Sequence, residues 1–80
     1  MQYYLERVGG KMTPTMLRQL WSLIENTQAN VILKQDDASL IQWLLKGLGD
    51  RLSLDSHDTD VLTNYIRCKM PLIRDLAQQR

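Results

Sequence analysis

The sequence predicts an all-α single domain, with three main helices at about 14–28, 37–48 and 56–78 and a kink in the last at Pro71. Apolar residues recur at helical spacing in three separate stretches. Each stretch opens on a residue suited to capping a helix. No pair of alternating segments is present to build a sheet, so strands have nothing to pair with.

Residues 1–12 hold Tyr3, Tyr4, Leu5 and Val8 ahead of Gly9-Gly10. They read as a flap that lays its tyrosines on the domain. Thr13-Pro14 then starts the first helix: threonine caps, and proline suits the first helical position because no partner is needed for its missing N–H. Met16, Leu17, Leu20, Trp21, Leu23 and Ile24 fall within an arc of roughly 160°. Val31, Ile32 and Leu33 form a short apolar run of ambiguous period, read as a buried connector or a frayed continuation of the first helix.

The central stretch, DDASLIQWLLKGLG at 36–49, has the fullest set of signals. Asp36 or Asp37 can cap it, and Gly49 suits the left-handed turn that stops a helix. Ala38, Leu40, Ile41, Leu44, Leu45 and Leu48 share an arc of roughly 160°. Trp43 lies about 60° beyond the edge of that arc, with Gly47 one turn further on the same side. A large ring beside a residue without a side chain would make a shallow notch. Either the segment carrying Tyr3 and Tyr4 folds over that notch, or another chain fills it.

Residues 50–55 connect to the last helix, capped by Asp55 or Ser56, with Asp58 and Asp60 suiting the positive end of its dipole. Val61, Leu62, Tyr65, Ile66, Leu72, Ile73 and Leu76 lie in an arc of roughly 140° if the helix is continuous. Pro71 interrupts the hydrogen bonding, but the stripe keeps phase across it, which favours a kink over a stop. Lys69 breaks the pattern, because it falls near the middle of the arc. It must snorkel, be turned outward by the kink, or meet a partner's carboxylate.

Composition excludes several classes of function. The net charge of +1 gives no strong pull toward nucleic acid or anionic lipid. Phenylalanine is absent, so leucine and isoleucine must fill the core, with two tryptophans as the bulky pieces. A single cysteine, Cys68, cannot close an internal disulfide and favours a reducing, cytoplasmic compartment. Its place near the edge of the apolar arc reads as a small core residue. The stretch MQYYLERVGG has no basic region followed by a long apolar run, so no signal peptide is expected, and no apolar run is long enough to span a membrane.

No enzyme is expected. The polar cluster at Asp55, Ser56, His57, Asp58, Thr59 and Asp60 lacks the glycine and glutamate that a calcium loop needs at its sixth and twelfth positions. It also lacks the further histidine or cysteines of a zinc site. It reads as a capped acidic helix start with a surface histidine; no metal and no cofactor are expected. His57 has no nucleophile in a suitable place, and Gly9-Gly10-Lys11 is too short for a phosphate loop. Arg67 and Arg74 share the outer side of the last helix, and a regulator that binds nucleic acid through them is the alternative function. Asp60 dilutes that patch, so nucleic acid is the less favoured partner.

The stretches DDASLIQWLL at 36–45 and MPLIRDLA at 70–77 resemble those of small, uncharacterised, helical proteins from cyanobacteria. The resemblance rests on packing residues. It implies a bacterial cytoplasmic protein and brings no activity or site residues with it. The expected function is therefore a non-enzymatic protein–protein interaction or regulatory module. Its partner is another protein or a second copy of itself, met through Trp43, Gly47 and Lys69.

Overall fold

The computed structural model describes residues 13–79; the flap expected of residues 1–12 lies outside them. The fold is all-α, with α1 (Pro14–Asn26), α2 (Ala29–Lys34), α3 (Asp37–Arg51) and α4 (Ser56–Gln78). Helix α4 packs on α2 and α3, and α1 packs on α3.

The capping signals act at the expected places. The Met16 N–H donates to Thr13 Oγ1 at 3.1 Å, with Pro14 in the first turn. The Ser39 N–H donates to Asp36 Oδ1 at 3.2 Å, so Asp36 caps α3. Asp55 caps α4 in a reciprocal box: the Asp58 N–H donates to Asp55 Oδ1 at 2.7 Å, and the Asp55 N–H donates to Asp58 Oδ2 at 3.4 Å. Two otherwise free N–H groups are thereby satisfied, and both carboxylates meet the positive end of the helix dipole.

The cap on α3 titrates. Hydrogen bonds from Ser39, side chain and then backbone, hold the Asp36 carboxyl below its ordinary value, and the Arg74 charge adds a smaller pull. A carboxyl whose pKa is depressed by folding stabilises the fold fully above its unfolded value, near pH 4. That contribution is lost as pH falls through the lower folded value. Asp36→Ala should therefore melt below wild type at pH 7, with the gap closing in strong acid. A gap of the same size at pH 2 would contradict this account.

Helix α1 ends at Asn26, two residues before the expected limit of 28. Thr27 turns to extended backbone, and its hydroxyl donates to the Leu23 carbonyl at 2.6 Å. Residues 29–34 are neither connector nor continuation but a helix of their own. Gln28 gives α2 no side-chain cap, and six residues are too few for helix without tertiary support. Burial of Ile32 supplies part of that support.

Helix α3 does not stop at Gly49. It continues to Arg51, and Leu52 caps it from extended backbone with its N–H donating to the Leu48 carbonyl at 2.8 Å. Gly49 is thus an exposed interior helix residue with open space where a Cβ would stand. Gly49→Ala should raise stability by about 0.5–1 kcal/mol, since alanine loses less backbone entropy in helix. At Gly47 a Cβ would stand 2.8 Å from Leu23 Cδ2, so Gly47→Ala should gain less because that methyl must move. Thermal melts of both variants test this; a Gly49→Ala protein no more stable than wild type would reject it.

Helix α4 runs unbroken across Pro71, which rules out a stop there. The ring is on the exposed side, while Met70 and Ile73 beside it are buried. The core consists chiefly of leucine and isoleucine: Leu20, Ile24, Ile32, Leu40, Leu44, Leu48, Leu62, Ile66 and Ile73 are fully buried. Each contributes about 1.5–3 kcal/mol by leaving water. Of the two tryptophans expected as bulky core pieces, Trp21 packs half-buried against the core, whereas Trp43 is exposed.

The inward side of α4 also differs from expectation. Its buried line is Leu62, Ile66, Met70, Ile73 and Ala77, centred roughly 70° around the helix from the expected arc. Leu72 and Leu76, placed in that arc by the sequence, are instead 45% and 39% exposed. Helix α4 packs on both α2 and α3, and the flank holding Met70 and Ala77 is the one buried.

Candidate interaction surface

Trp43 projects from the flank of α3 as the stripe of Leu40, Ile41, Leu44 and Leu48 turns inward. It lines a shallow, open recess of about 440 Å³ together with Gln35, Ala38, Ser39, Gln42 and Lys46. Five of the six residues come from successive turns of one face of α3. The recess offers an apolar ring 40% exposed, two carboxamides, a hydroxyl and an ammonium group. Such a surface can take up an apolar side chain and satisfy polar groups around it.

Gly47 does not border this recess. The space beside its Cα is occupied by the Leu23 side chain, so the missing side chain serves the close approach of α1 to α3. Lys69 does not border the recess either. Its Nζ lies 5.8 Å from the centre of the Tyr65 ring. The Tyr65 hydroxyl in turn accepts from Trp21 Nε1 at 3.2 Å, which links α4 to α1. Of Trp43, Gly47 and Lys69, Trp43 alone borders the recess.

The rotation of α4 accounts for Lys69 without recourse to the Pro71 kink. With the buried line centred near Ile66 and Ile73, Lys69 stands at its edge, about 60° away, and its stem can lie along the aromatic ring while the charge reaches water. Cys68 falls on the far side and is exposed, contrary to its reading as a core residue.

Arg74 occupies the opposite edge and is the most heavily engaged cation among the described residues. Its Nη1 donates to the Ile32 carbonyl at 2.7 Å. Its Nη2 donates to the Gln35 carbonyl at 2.9 Å and to Asp37 Oδ1 at 2.6 Å. One guanidinium thus ties the C-terminal end of α2 to the start of α3. Sequence reasoning put Arg74 on an outer basic face with Arg67. Of that pair, Arg67 is exposed and Arg74 is committed to holding the fold, so they do not present two free charges to a phosphate backbone.

The acidic start of α4 is absorbed in the same way. Asp55 and Asp58 cap the helix through their carboxylates, and His57 and Asp60 are exposed. Among the described residues, no three of the His, Cys, Asp and Glu side chains are grouped so as to hold a metal ion. Nor is any described helix long and apolar enough to cross a membrane.

Trp43 carries a signal legible in sequence, as an aromatic ring outside an apolar stripe. Leu33 carries none, and it stands 38% exposed at the end of a helix that periodicity does not resolve. Comparison with protein-family models, with curated proteins and with solved structures returned no match.

Proposed function

We propose that this chain is a small non-enzymatic interaction or regulatory module. It engages another protein, or a second copy of itself, through the face of α3 that carries Trp43. The exposed indole at the wall of the recess is the observation that carries the reading. Tryptophan gives large contact area for few rotatable bonds, and a ring left in water on one element gains most from being covered. Ser39, Gln42 and Lys46 around it supply a polar rim. Of the three residues expected at such a surface, the proposal retains Trp43; Gly47 packs against Leu23 and Lys69 against Tyr65. The working compartment is the bacterial cytoplasm, supported by the single cysteine and by the cyanobacterial resemblance of 36–45 and 70–77.

Trp43→Ala tests the proposal. Light scattering across a concentration series, together with pull-down from native extract, reads self-association and partner capture. The variant should keep its helical signal and its melting temperature within about 2 °C, as expected for a surface change. It should lose either the larger species or the captured partner. A well-folded variant that keeps both as wild type does would rule out this surface.

A further inference from the structure

No further inference is drawn: the strongest candidate, the apolar edge of α4 on which Leu72 and Leu76 stand exposed one turn and two turns beyond Cys68, is a bare helix face, and nothing in the structure shows what covers it.

Discussion

Arg74→Met is expected to lower stability by about 2–4 kcal/mol, a large share of what a chain of this size has. Methionine keeps much of the side-chain volume, so the loss comes from the hydrogen bonds rather than from a cavity. Two of those bonds satisfy the carbonyls of Ile32 and Gln35 at the C-terminal end of α2. A cation at that end also complements the negative pole of the helix. The bond to Asp37 adds little, because that carboxylate is 66% exposed and largely screened by water. Helix α2 should respond first, since it has six residues and no side-chain cap. Amide hydrogen exchange should therefore accelerate in 29–34 well before it does in α3. Arg67→Met, on an exposed residue of the same helix, should leave the melting temperature nearly unchanged. Equal melting of wild type and Arg74→Met would show that the guanidinium does not hold α2.

Pro71→Ala is expected to act in the opposite direction, raising stability by about 1–3 kcal/mol. In the interior of α4 the proline lacks the N–H that would bond to the Arg67 carbonyl, and its ring crowds the preceding turn. Both Pro71 and Arg67 are on the exposed side, so water can satisfy the orphaned carbonyl, which places the gain below that of a fully buried break. Alanine restores the bond and keeps Met70 and Ile73 on the buried line. The denaturation midpoint should rise while its slope stays constant, because the surface exposed on unfolding is unchanged. A variant less stable than wild type would mean that the proline bends α4 into a course its packing requires.

The two substitutions bear on function through what they separate. If Arg74 and Pro71 shape the scaffold, their variants should change melting without changing what the Trp43 face binds. Trp43→Ala should do the reverse. A nucleic-acid-binding role through Arg67 and Arg74 predicts a different pattern: salt-dependent binding of an oligonucleotide that each arginine variant weakens.

Much of the fold was legible from local chemistry. Thr13, Asp36 and Asp55 start their helices because a side-chain oxygen on the residue before a helix can reach the free N–H groups two or three positions on. The spacing of Leu40, Ile41, Leu44 and Leu48 alone dictates which side of α3 is buried. Gly49 misled because a glycine ends a helix only if the chain turns left-handed there, and Asp50 and Arg51 continue instead. Helix α2 was illegible because Val31, Ile32 and Leu33 carry no period, and part of its support comes from a side chain about forty residues away.

The candidate surface divides along the same line. A tryptophan outside an apolar stripe is visible in sequence, and so is the chance that it meets solvent. The use of Gly47 for contact with Leu23 is not visible, because it depends on how closely α1 approaches α3.

What the sequence determined by itself is where helices form and that they bury aliphatic faces, since caps and periodicity act within a few residues. The tertiary structure decided which side of α4 those faces meet. That side sets Arg74 against α2, Lys69 across Tyr65, and Leu72 and Leu76 in water. The apolar residues on α4 span a broader arc than the one that is buried, because packing on α2 and α3 removes only part of the apolar surface of the helix from water.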